Sequence, residues 1–114
     1  MSTHNKTYQP LQLLTVTAGE DLPACRFVNY SGSLCDEDTM AFGVTEIDWL
    51  DEELASVVSL GTVVVESSEA ILAGANVAAD TNGKAKTAGE LSVINGRAID
   101  ACSGAGYIKI KLVP

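Results

Sequence analysis

A chain of 114 residues with 46% hydrophobic and 19% charged side chains has the composition of one compact domain, able to bury a core without a disulfide or a metal. Its net charge of −8 weighs against nucleic acid as a partner, because phosphate binding depends on Lys and Arg. The apolar runs fall far short of the roughly 18 to 20 residues of a membrane span, so no membrane partner is expected either.

Taken in chain order, Met1 to Thr7 is polar and lacks the apolar stretch of a secretory signal, which predicts that the protein stays in the compartment where it is made. Residues 1–12 show neither helical nor strand periodicity and end in Tyr8-Gln9-Pro10-Leu11. Pro10 has no N–H to donate and biases Gln9 toward an extended backbone, so this segment reads as an extended N-terminal arm. The remainder, residues 13–114, reads as a single all-β body.

Short runs rich in Val, Ile, Thr and aromatics, bounded by Gly, Asn, Asp or Ser, predict strands at 13–17, 25–30, 54–60, 62–65, 97–102 and 107–113. In the last run Ile108, Ile110 and Leu112 alternate with Tyr107, Lys109 and Lys111, which assigns the aliphatic set to the core. Asp80-Thr81-Asn82-Gly83-Lys84 carries the Asn-Gly signal of a tight hairpin, and Tyr30-Ser31-Gly32-Ser33-Leu34 carries a weaker one. Asp48 to Leu54 fits either one helical turn capped by Asp48 or a loop.

The two halves echo each other. Leu22-Pro23-Ala24-Cys25-Arg26-Phe27-Val28 before a Ser-Gly turn resembles Leu72-Ala73-Gly74-Ala75-Asn76-Val77-Ala78 before the Asn-Gly turn. Gly43-Val44-Thr45 similarly parallels Gly96-Arg97-Ala98. Two β-rich half-units of this length predict a small barrel or sandwich-like body, which limits exposed strand edges.

Chemistry-bearing patterns are sparse. The single histidine, His4, lies in the arm, so a Ser-His-Asp or Cys-His arrangement would have to draw its base from that segment. Asp36-Glu37-Asp38 lacks the spacing of a calcium loop, no zinc ligand set exists, and Ser103-Gly104-Ala105-Gly106 lacks the lysine of a phosphate loop. No enzyme, metal or cofactor is therefore expected. The odd trio Cys25, Cys35 and Cys102, with no C-x-x-C spacing, predicts reduced thiols acting as small core hydrophobes. Charge is segregated: Asp36 to Glu53 holds eight acids, and no Lys or Arg occurs from Phe27 through Gly83. Trp49 and Leu50 sit inside that acidic stretch, where large apolar residues serve either the core or a subunit interface.

A small, acidic, β-rich chain of this kind binds or builds rather than catalyses. Leu14-Thr15-Val16-Thr17-Ala18-Gly19-Glu20-Asp21-Leu22, Arg26-Phe27-Val28, Gly43-Val44-Thr45, Gly96-Arg97-Ala98-Ile99-Asp100-Ala101 and Gly104-Ala105-Gly106-Tyr107-Ile108-Lys109-Ile110, in this order, resemble the small capsid decoration (cement) proteins of tailed bacteriophages. The resemblance implies a β-barrel body made in the host cytoplasm and assembled as a homotrimer on the outer surface of the virion. It further implies that the arm, around Thr7, Tyr8, Gln9, Pro10, Leu11 and Leu13, reaches the major capsid protein and stabilises the head. Other virion parts, in the tail or head completion, and a small ligand-binding barrel are the alternatives. The Trp and five acids of Thr45 to Glu53 depart from the plainer loop of similar proteins, which leaves the inter-subunit contact near Trp49 open, so Trp49 and Leu50 stand as core residues or as a subunit interface.

Overall fold

The computed structural model describes residues 6–113. Among them the chain forms eight strands and no helix: β1 (Pro10–Thr17), β2 (Phe27–Val28), β3 (Gly43–Thr45), β4 (Leu54–Ser67), β5 (Asn76–Ala79), β6 (Ala85–Thr87), β7 (Gly96–Ala98) and β8 (Gly106–Leu112). The C-terminal half of β4 pairs antiparallel with β8 from Thr62↔Lys111 to Ser67↔Gly106, and its last residue pairs in parallel with β6 through Ser67↔Ala85. The antiparallel neighbours β6–β5–β7–β8 complete the circuit, so these five strands close into a barrel and leave few edges exposed. The N-terminal half of β4 carries the remaining strands, with β1 on one side and β3, then β2, on the other.

The sequence suggested two strands, 54–60 and 62–65, where the structure has one. Gly61, at φ +103°, lies outside the range open to most residues and lets a single strand run from one sheet into the next. The short strands β3, β5 and β6 carry too few residues for a periodic signal. The run at 97–102 is strand only to Ala98, and the run at 25–30 only at Phe27 and Val28. Asp48 to Leu54 is a loop: Asp48 accepts a hydrogen bond from the Ala24 N–H (2.7 Å) instead of capping a helix, and Glu52 takes φ +71°.

The half-units appear as a repeated hydrogen-bond pattern, with equivalent residues 49 apart near Cys25 and 53 apart near Thr45. The Cys25 N–H donates to Thr45 O (2.9 Å) as Gly74 N–H does to Ala98 O (2.8 Å). The antiparallel bridge Leu22↔Trp49 recurs as Ile71↔Cys102, so Leu22 corresponds to Ile71, one residue before the Leu72 that string similarity suggests. Both turns close alike: Asn29 Oδ1 accepts from Ser31 and Ser33 N–H, and Asp80 Oδ1 from Asn82 and Lys84 N–H. Gly43 and Gly96 occupy matching sites where backbone meets backbone. A Cβ on Gly43 would lie 2.7 Å from Val58 O, and one on Gly96 2.8 Å from Lys111 O. In this correspondence β1 matches the second half of β4, and the first half of β4 matches β8.

Each half has its own apolar cluster. The larger fills the barrel with Val63, Val65, Ile71, Val77, Ile108, Ile110 and Leu112, and takes in Phe27, Val44 and Val58 from the first half. The alternation in β8 is as predicted, with Ile108 and Ile110 fully buried and Leu112 nearly so. The smaller cluster joins Ala18, Leu22, Val28, Ala55 and Val57, with Val16, Leu34, Phe42 and Trp49 packed on it. Cys25 and Cys35 are buried free thiols and Cys102 is half-buried. Burial pushes both buried thiols up to about 11, which keeps them protonated near neutral pH and removes their nucleophilicity.

Candidate functional site

The segment ahead of β1 is tied to both halves. Lys6 Nζ meets Asp100 Oδ2 at 2.6 Å, Tyr8 OH donates to Glu46 Oε2 at 2.8 Å, and Gln9 exchanges hydrogen bonds with Thr62 through N–H to Oγ1 (2.7 Å) and O from N–H (3.0 Å). Burial, then the hydrogen bond and the charge of Glu46, push the Tyr8 phenol up to about 12. Partial burial raises the Asp100 carboxyl, but the Lys6 ammonium and the Lys109 N–H outweigh it and hold the group below its ordinary value. Pro10 and Gln12 pair with Gly61 and Leu60, so β1 runs through the arm–body boundary placed after residue 12.

β1 pairs with β4 and with no second strand among the described residues, which leaves its other edge open. Its side chains are mostly solvent-facing: Leu11 is 74% exposed, Leu13 46% and Leu14 37%. Thr7 and Gln9 are exposed as well. Across β1, β4 and β3 opens a groove of about 280 Å³ lined by Gln12 and Leu14 of β1, Ser59 of β4, Tyr30 and Phe42, and Val113 among others. Tyr30 and Phe42 meet edge to face at 4.9 Å. Sequence reasoning missed this groove because its walls come from segments distant in the chain.

The acidic loop divides the pair that the sequence set together. Trp49 exchanges backbone hydrogen bonds with Leu22 (2.8 Å each way) and packs against the smaller cluster, its Nε1 buried without a hydrogen-bond partner. Leu50 is 64% exposed and is flanked by exposed Ile47 and Leu54. The loop's acids make no ion pair among the described residues, whereas Glu37 and Asp38 bind Lys86 at 3.3 and 2.9 Å and Glu66 binds Arg26 and Lys84 at 3.1 and 3.4 Å. Asp36-Glu37-Asp38 is thus partly neutralised. The Ser92 hydrogen bond, followed by Lys86, lowers the Asp38 carboxyl.

Among the described residues no three His, Cys, Asp or Glu side chains converge in a metal-binding group, and His4 lies outside those residues. What this surface offers is an unpaired strand edge, apolar side chains in water and segregated charge, the materials of protein–protein contact.

Comparison with known proteins agrees in kind. A family model described as phage cement protein matches residues 8–112. The crystal structure of the N base of the head fibre gp8.5 of bacteriophage phi29 superposes with a TM-score of 0.75 at 20% identity, over 90% of this chain and 93% of that one. That likeness establishes a shared fold. No curated protein matches the sequence.

Proposed function

The chain belongs to the phage cement protein family, structural proteins of the phage head, and on that premise we propose that it decorates the outer surface of an assembled head and stabilises it. The observation that carries this reading is the open edge of β1 with Leu11, Leu13 and Leu14 in solvent, Leu14 also lining a groove of mixed polar and apolar character. An edge strand adds a strand of a partner through main-chain hydrogen bonds, and alternate side chains select which partner. The partner in this reading is the major capsid protein, contacted by the arm from Thr7 through Tyr8, Gln9, Pro10 and Leu11 to Leu13. Its site of action is the virion surface after synthesis in the host cytoplasm, and its role involves no catalysis.

Stabilisation follows from mass action. A ligand that binds the assembled shell and not its free subunits adds about 2.7 kcal/mol per site at a hundredfold excess over Kd. Assembly as a homotrimer, with Leu50 and Trp49 at the subunit interface, raises the effective concentration of each arm once the first has bound. Co-sedimentation with undecorated heads tests the proposal. Wild-type protein should saturate at many copies per head, and Leu11→Asp, a change at an exposed position that leaves the core intact, should lose at least tenfold in affinity. Full-strength binding by Leu11→Asp removes the β1 edge from the contact, and no binding by the wild type refutes decoration.

A further inference from the structure

Four of the seven basic residues are neutralised within the chain: Lys6 by Asp100, Arg26 and Lys84 by Glu66, and Lys86 by Glu37 and Asp38. Arg97, Lys109 and Lys111 form no ion pair among the described residues. They share one face. Arg97 lies directly opposite Lys111 across the β7–β8 ladder, and Lys109 is two residues along the same strand. Like charges set opposite each other on a sheet repel; the Lys109 charge is partly met by Asp100, whereas Arg97 and Lys111 form a positive surface with no ion-paired acid among the described residues, on a chain of net charge −8.

The complementary surface is elsewhere on the same chain. The loop from Glu46 to Glu53 carries Asp51 and Glu52 at its tip, unneutralised, beside exposed Leu50 and Leu54. Leu54 begins β4, while Thr62, which faces Lys111, lies eight residues further on, roughly 26 Å along the strand. That separation is about three Debye lengths at physiological salt, so the loop tip and the stripe do not neutralise each other within one molecule. The repeat adds a second argument. Arg97 and Lys111 occupy the positions that Val44 and Val58 hold in the first half, and those valines are buried where the first half packs on the second. The face that the first half uses for packing is left open and basic on the second.

We propose that copies of this chain associate head to tail, the acidic loop tip of one docking on the Arg97–Lys109–Lys111 stripe of the next. Two different surfaces meeting in this way make a heterologous contact that closes into a ring when the rotation permits. The inference deepens the homotrimer reading above by naming both sides of its contact, and it rests on that reading.

Light scattering of the full chain over a concentration series tests it, with thermal melts confirming that each variant folds. The pairs Arg97→Glu/Lys111→Glu and Asp51→Lys/Glu52→Lys should each weaken self-association at least tenfold. The fourfold variant, with both charges reversed, should recover it, and added salt should weaken the wild type. A wild-type monomer at every concentration, pair variants of undiminished mass, or no recovery in the fourfold variant overturns the proposal. Head co-sedimentation of the same samples separates the two readings. Pair variants that keep their mass yet no longer bind heads assign the stripe to the capsid, whereas an assembled wild type that ignores heads refutes decoration itself.

Discussion

Trp49 lies between the two roles that its sequence context permits, and substitution can separate them. Its half-buried ring packs against the smaller cluster of Ala18, Leu22, Val28, Ala55 and Val57, while its Nε1 is buried with no partner among the described residues. Truncating a fully buried Trp costs about 3 to 5 kcal/mol, and for a half-buried ring Trp49→Ala should cost about 2 to 3. Trp49→Phe keeps most of that contact. It loses about 1 kcal/mol of buried ring surface. It also removes an unsatisfied N–H whose burial costs about 1 to 3 kcal/mol, so the net effect should lie between neutral and slightly stabilising. Urea unfolding followed by circular dichroism, at a concentration where light scattering reports monomer, measures both. If Trp49→Phe is as damaging as Trp49→Ala, the indole N–H has a partner and the packing argument fails. If neither affects the monomer but both abolish assembly, Trp49 belongs to the subunit interface.

Gly96→Ala should cost about 1 to 3 kcal/mol, because its Cβ would lie 2.8 Å from both Ile110 Cδ1 and Lys111 O and the backbone oxygen cannot move aside cheaply; a thermal melt within one degree of wild type contradicts this. In an ultraviolet titration Tyr8 should ionise late, near pH 12. With its folded value at about 12, above that of the unfolded chain, its tether is complete below pH 10 and is lost as pH rises through 12, and Tyr8→Phe should abolish the late step. The Asp100 carboxyl is depressed, so the Lys6–Asp100 contact contributes above the ordinary carboxylate value and is lost as pH falls through the folded one; Asp100→Asn should flatten the acid limb of stability, and an unchanged limb discounts the contact. Glu52→Gly should stabilise by about 1 kcal/mol by relieving φ +71°, with Glu52→Ala as the control for charge.

The sequence by itself determined what local physics controls. Alternation assigned Ile108, Ile110 and Leu112 to the core because side chains on a strand change faces at every residue. Asn82-Gly83 marked a real turn because Gly83 takes φ +72°, a backbone that L side chains rarely adopt. The echo between halves was legible because both copies need a glycine where strands approach closely, at Gly43 and Gly96. Tertiary structure decided the rest. Closure of the barrel depends on β4 continuing through Gly61 to pair with β8, a contact between residues 39 to 49 apart for which no local pattern exists. The anchoring of Lys6 and Tyr8, the groove beside β1 and the lack of an ion pair for Arg97 and Lys111 among the described residues are all set by which distant segments come together. Periodicity reports which side of a strand faces inward; it carries no information on what the other side will meet.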